Sequence, residues 1–133
     1  MPDCTREKGG LVHVMVVDDE EDMQLLFQQR FRRELRAKDI ELHFAMSGAE
    51  ALDYVEQHHA EESFLVLSDI NMPGMSGLEL LKRLKARYAH LKVFIITAYD
   101  DTHNYQTAMQ YGADAYFTKP LDFDALKGRM QAL

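Results

Sequence analysis

Three kinds of reactive group stand where short apolar runs of this chain end. The run Val14-Met15-Val16-Val17 leads into the acidic stretch Asp18-Asp19-Glu20-Glu21-Asp22. Phe64-Leu65-Val66-Leu67-Ser68 leads into Asp69, Val93-Phe94-Ile95-Ile96 into Thr97, and Ala115-Tyr116-Phe117-Thr118 into Lys119-Pro120. If these ends meet, Asp18, Asp19 and Asp69 repel one another, at about 4 kcal/mol per pair for ~4 Å and an effective dielectric near ~20. A hard divalent cation relieves that repulsion. Mg2+ suits a site with few protein ligands, because it keeps part of its hydration shell and commonly pairs with one or two carboxylates and a phosphate.

Such a site favours phosphoryl transfer, where catalysis is mostly positioning and charge neutralisation. A carboxylate can serve as nucleophile and form an acyl phosphate. Asp69 is the best candidate, alone at a strand end before a Pro73-Gly74 turn. Asp18 and Asp19, adjacent on another strand, suit metal holding. Thr97 can donate a hydrogen bond to a phosphoryl oxygen, and Lys119 adds compact positive charge. Taken singly, each piece has a plainer reading. Acids often open a helix because they favour its N-terminal dipole, an Asp near Pro-Gly is ordinary turn chemistry, and Lys-Pro alone says little. Their joint placement at four strand ends carries the argument.

The elements that would position these groups alternate along the chain. Residues 12–17, 40–45, 64–67, 93–96 and 115–117 are short β-rich apolar runs, read as strands. Three are apolar almost throughout, as central parallel strands covered on both faces should be. Helices are expected over 20–38, 48–58, 76–87, 101–111 and 122–132. Met23, Phe27, Phe31 and Leu35 are spaced four apart in the first. Ser47-Gly48-Ala49-Glu50 and Ser76-Gly77-Leu78-Glu79 have the spacing of capping boxes, and Gly112 is placed to end the fourth helix. The βα alternation predicts an α/β, flavodoxin-like (βα)5 three-layer sandwich, its parallel sheet in the order 2-1-3-4-5. Ligands in such sheets bind beyond the carboxyl ends of the strands, where the reactive groups stand.

The 133 residues suit one domain, read as a flexible tail over 1–10 and a folded domain over 11–133. A net charge of −7 argues against direct nucleic-acid contact, which needs positive charge to displace counterions. The single cysteine, Cys4, has no internal partner, so nothing suggests an oxidising compartment. No signal peptide or membrane-spanning run is visible, and the expected location is the cytoplasm.

Four segments together identify a family. Val16-Val17-Asp18-Asp19-Glu20, Leu67 through Gly77, Ile95-Ile96-Thr97-Ala98-Tyr99 and Gly112 through Pro120 resemble the receiver domain of bacterial two-component response regulators. The resemblance runs from about Leu11 to Leu133. It implies that Asp69 is the phosphoacceptor, and that Asp18, Asp19, Asp69 and the backbone carbonyl of Asn71 hold Mg2+, with Mn2+ or Ca2+ as substitutes. It implies that Lys119 pairs with the phosphoryl group, that the Lys119-Pro120 peptide is cis, that Thr97 moves to meet the phosphoryl group, and that Tyr116 is the switch aromatic. The donor would be a histidine kinase or a histidine phosphotransfer domain. The surface expected to respond comprises residues 101–111, 115–117 and 122–130, facing an output domain or protein, with homodimerisation through the same surface. The chain would be a self-phosphorylating, slowly self-dephosphorylating switch and not a turnover enzyme. A phosphorylation-independent interaction domain of the same fold is the alternative.

Other features have competing readings. Arg30, Arg32, Arg33, Arg36 and Lys38 form either a solvated face or a docking patch for the phosphoryl donor. His58-His59 with Glu61-Glu62 reads as a polar helix end, and His13 as a strand-start residue. Tyr111 is expected in the core, with Tyr105 or Tyr99 exposed. A flavin mononucleotide module needs a phosphate loop after strand one, where this chain is acidic. A phosphohydrolase with an Asp nucleophile would want a second Asp two residues on, where Asn71 stands.

Overall fold

The structure, a computed structural model, describes residues 11–59, 63–98 and 101–132. The expectations for the 1–10 tail and Cys4, for Glu61-Glu62 and for Tyr99 lie outside these residues. Five strands, β1 (Val12–Val17), β2 (Ile40–Ala45), β3 (Phe64–Asp69), β4 (Lys92–Thr97) and β5 (Ala115–Thr118), form one sheet in the order β2-β1-β3-β4-β5. Every neighbouring pair is parallel. The helices are α1 (Glu21–Arg30), α2 (Arg32–Arg36), α3 (Gly48–His58), α4 (Gly77–Arg87), α5 (Thr102–Gln110) and α6 (Phe123–Gln131). This is the flavodoxin-like α/β architecture that the alternation implied.

Strand alternation divides the core between the two faces of the sheet. Val14, Val16, Leu65, Leu67, Phe94 and Ile96 face α1 and α6, packing on Phe27, Phe31, Phe123 and Leu126. Met15, Val17, Val66, Val93 and Ile95 face α3, α4 and α5. Every residue of β3 is buried, which is why its sequence shows no polar alternation.

The expected helix over 20–38 is two helices. Residues four apart drift by about 40° per step around a helix of ~3.6 residues per turn, so a straight rod would carry Leu35 away from the core face. At Phe31 the backbone bends (φ −105, ψ 18), yet Phe31 N–H still donates to Phe27 O at 2.9 Å and Leu35 N–H to Phe31 O at 2.8 Å. The bend keeps the Phe31 ring parallel to Phe27 at 5.7 Å and edge-on to Phe123 at 5.9 Å. Lys38, at φ 60, then turns the chain into β2.

Both Ser caps form. Ser47 Oγ accepts from Glu50 N–H and Ser76 Oγ from Glu79 N–H, each at 3.2 Å. The return bond differs: Glu50 Oε1 accepts from Met46 N–H at 3.3 Å, whereas Glu79 turns along the helix to Arg83 at 2.8 Å, and that contact lowers its pKa. Helix α5 ends as expected at Gly112, φ 97. Gly112 N–H donates to Met109 O and Ala113 N–H to Ala108 O, a Schellman ending with Ala113 and Ala108 both buried.

Candidate functional site

The parallel sheet delivers its strand ends to one edge. β1 stops at Val17, so Asp18 and Asp19 stand just past it, while Asp69 and Thr97 are the last residues of β3 and β4. Asp18 is 5% exposed, Asp69 6% and Thr97 0%. Asp19 is exposed. One carboxylate oxygen from each of Asp18, Asp19 and Asp69 lies within 4.8 Å of the others. The sequence therefore placed these three acids together correctly, and the sheet order explains why, since β1 and β3 are neighbours.

Lys119 joins them from the far side. Its backbone N–H donates to Thr97 O at 2.7 Å, and the Lys119-Pro120 peptide is cis, as expected. Its Nζ lies 3.2 Å from Asp18 Oδ2, 3.5 Å from Glu20 Oε1 and 3.6 Å from Asp69 Oδ1. Glu20 was not assigned from the sequence, although it belongs to the same acidic run. Asp18 is held in turn, because its Oδ1 accepts Glu20 N–H at 2.9 Å.

Burial pushes the Asp69 carboxyl up from 3.8 to about 6, Lys119 works against that rise, and the neighbouring Asp18 charge adds to it. Burial also works against the Lys119 ammonium, but the charges of Asp69 and Asp18 outweigh it and raise its pKa. The site thus carries more negative charge than its single lysine balances. All three donor groups are carboxylates, the set that suits a hard, oxygen-seeking cation such as Mg2+. Asn71 lies exposed in the segment after β3.

Tyr116 is half-buried on β5 and meets Tyr105 of α5 edge-on at 5.2 Å. Tyr105 is 47% exposed, and Tyr111 packs against the core, matching the expected division. Arg30, Arg32, Arg33, Arg36 and Lys38 are exposed, and Arg30 lies over the Phe123 ring at 5.5 Å. His58 stacks on Tyr54 at 3.9 Å. Among the described residues neither His58 nor His59 falls in a group able to hold a metal, whereas His13, Glu41 and His43 do. That second cluster was missed because its members lie on different strands, and only the β1–β2 register unites them.

Comparison with known proteins agrees with this geometry. The family model of the response regulator receiver domain matches residues 14–131. The sporulation initiation phosphotransferase F of Bacillus subtilis is 33% identical over 114 residues, covering 86% of each chain. The uncharacterized transcriptional regulatory protein YkoG of the same species is 35% identical over 127 residues, and this chain spans 51% of its length. Among solved structures, the receiver domain of the Francisella response regulator 1452 superposes with a TM-score of 0.76 at 28% identity, covering 91% of this chain and 94% of that one. Strand order, acidic edge and sequence similarity converge, and the chain belongs to the response regulator receiver domain family of two-component signalling.

Proposed function

We propose that the chain is a phosphoacceptor switch that takes a phosphoryl group onto Asp69 from the phosphohistidine of a histidine kinase or a phosphotransfer domain. The observation that carries this reading is the convergence of Asp18, Asp19 and Asp69 within 4.8 Å, with the Lys119 ammonium 3.6 Å from Asp69. The name of the 33% identical phosphotransferase supports it.

In this reading an Asp69 carboxylate oxygen attacks phosphorus, the bond from phosphorus to the donor imidazole nitrogen breaks, and the imidazole leaves and takes up a proton. With its pKa at about 6, Asp69 is mostly ionised at neutral pH and ready as a nucleophile. Asp18, Asp19, Asp69 and the Asn71 carbonyl would hold Mg2+, which supplies charge neutralisation to the transferring oxygens. Lys119 is placed to neutralise a phosphoryl oxygen on the other side. Water can attack the acyl phosphate in turn, so the protein would be a self-phosphorylating, slowly self-dephosphorylating switch and not a turnover enzyme.

Phosphorylation adds about −1.5 to −2 charge and three strong acceptors. Thr97 and Lys119 gain interactions in that state alone, which biases a two-state equilibrium. Tyr116 and its edge contact with Tyr105 link the site to the surface of α5, β5 and α6, where an output element or a second copy would bind. Cytoplasmic kinases fit a chain whose described residues include no helix long and apolar enough to cross a membrane.

The test is intact mass after incubation with acetyl phosphate, with and without Mg2+, on the wild type and Asp69→Asn. A single Mg2+-dependent phosphoryl adduct, absent in the variant, is expected. Absence of any adduct in the wild type, with no binding of beryllofluoride, would favour the phosphorylation-independent interaction domain.

A further inference from the structure

The end of the sheet opposite Asp69 carries a second ligand set. Parallel pairing sets His13 of β1 against Glu41 of β2, and Met15 against His43. The two-residue period of a strand puts His13, Glu41 and His43 on one face. One donor atom from each lies within 4.8 Å of the others. His13 Nδ1 is 3.0 Å from Glu41 Oε1, and His43 Nε2 is 3.4 Å from the same oxygen.

The His43 spacing has the length of a coordination-tetrahedron edge, and the His13 spacing is a few tenths of an ångström shorter. Around an ion with bonds of about 2.0–2.1 Å, tetrahedral donor atoms stand roughly 3.3–3.4 Å apart. Two imidazoles and one carboxylate form a ligand set that zinc proteins use with an open fourth position. The exposures fit: the His13 and His43 side chains are 17% and 27% exposed, while Glu41 is 50% exposed. The imidazoles are thus held within the fold and the solvent side stays open to a water ligand. His43 is further braced by the Tyr54 ring at 4.9 Å, itself stacked on His58.

We propose that His13, Glu41 and His43 form a second cation site, selective for a borderline transition-metal ion such as Zn2+. Imidazole nitrogen suits Zn2+, whereas Mg2+ and Ca2+ prefer oxygen alone, so the two sites divide hard and softer cations between opposite ends of β1. The ordinary competing arrangement is a pair of histidines hydrogen-bonded to one carboxylate, without a metal.

The experiment is a Zn2+ titration of the full chain in a Cys4→Ser background with excess Mg2+, followed by imidazole 1H–15N NMR and by thermal melting. One equivalent of Zn2+ is expected to shift the His13 and His43 ring signals selectively and to raise the melting temperature. His43→Gln and Glu41→Gln should each weaken Zn2+ binding by more than ~100-fold, beyond the loss typical of outer-shell changes, while Asp18→Asn leaves it unchanged. Unmoved His13 and His43 signals would overturn the proposal in favour of the hydrogen-bonded cluster, whatever the variants do. Zn2+ binding that survives Glu41→Gln and His43→Gln but is lost in Asp18→Asn would overturn it in favour of the acidic edge.

Discussion

Gly77 faces the backbone of Asp69 so closely that a methyl group at Gly77 would overlap the Asp69 carbonyl oxygen. The same methyl would sit 2.8 Å from the Asp69 carbonyl carbon and 2.9 Å from Ile70 Cα. Gly77 N–H donates to Ile70 O at 2.8 Å, so the start of α4 is bound directly to the residues that follow β3. Backbone on both sides leaves little room to yield. Gly77→Ala should cost about 1–3 kcal/mol by urea unfolding, in the range of overpacked cores, and should slow Asp69 labelling. Gly48→Ala meets only the flexible Met75 side chain, its sulfur at 2.8 Å, and should cost less. Equal midpoints for Gly77→Ala and the wild type would show that the contact is looser than it looks.

Stability should fall as pH rises through Asp69's titration. Its folded pKa, about 6, stands above the value of 3.8 for an ordinary Asp, so the folded chain binds this proton more tightly than the unfolded chain. That contribution is full below about pH 3.8 and is lost as pH rises through about 6. The difference corresponds to about 3 kcal/mol at most. Asp69→Asn should flatten the profile, gaining on the wild type as pH rises from about 3.8 through about 6 when divalent cations are withheld. Urea midpoints across that range check it, and parallel profiles for the two proteins would contradict it.

Lys119→Met removes the one ammonium that opposes the rise in Asp69's pKa. The Asp69 carboxyl should titrate above about 6, as read by carboxyl NMR. Labelling by acetyl phosphate should slow by roughly 10²–10³-fold, the usual loss for one transition-state donor. Mg2+ should bind at least as tightly, because a competing positive charge has gone. Weaker Mg2+ binding would instead make Lys119 an organiser of the acids.

Thr97→Ala should keep labelling within a few fold but abolish its effect on the distant surface. Amide NMR over residues 102–118 with beryllofluoride is the measurement. Unchanged shifts in the variant relative to the wild type would remove Thr97 from the switch.

Asp114 ties three elements together. Its Oδ2 accepts Lys85 Nζ and Val93 N–H, each at 2.9 Å, and Lys85 also donates to Leu91 O at 2.7 Å. Asp114→Ala takes the acceptor from the Val93 N–H and leaves the half-buried Lys85 ammonium with Leu91 O but no counter-charge, and should cost about 2–3 kcal/mol in chemical denaturation. Asp114→Asn keeps one acceptor and should recover part of it.

The acidic edge was legible because parallel strands send their carboxyl ends one way. Once Val14 to Val17 and Phe64 to Ser68 read as strands, and the order 2-1-3-4-5 set the first beside the third, Asp18 and Asp69 had to meet. The bend at Phe31 was not legible, since a four-residue spacing of apolar positions looks the same in a straight helix and in a kinked one. It took the Phe123 ring, about ninety residues away, to show which side Phe31 must face. Glu79 was read as the closing half of a capping box, but Arg83 one turn on competes for it. His13, Glu41 and His43 stayed invisible for a related reason. Nothing local marks them, and their meeting depends on the register of two strands separated by α1 and α2.

The backbone of Thr97 is tied to β5 at two successive points. It lies opposite Thr118 in the β4–β5 ladder, and its carbonyl accepts Lys119 N–H at 2.7 Å. Its side chain is buried in the fold, so a change of rotamer there is a change in packing as well. Exposed side chains change rotamer in picoseconds to nanoseconds, but Thr97 is fully buried and its close-packed surroundings must move with it. In the proposed switch, then, the strand end could not turn independently: a new position for the Thr97 hydroxyl would have to come together with a shift of the elements packed around it.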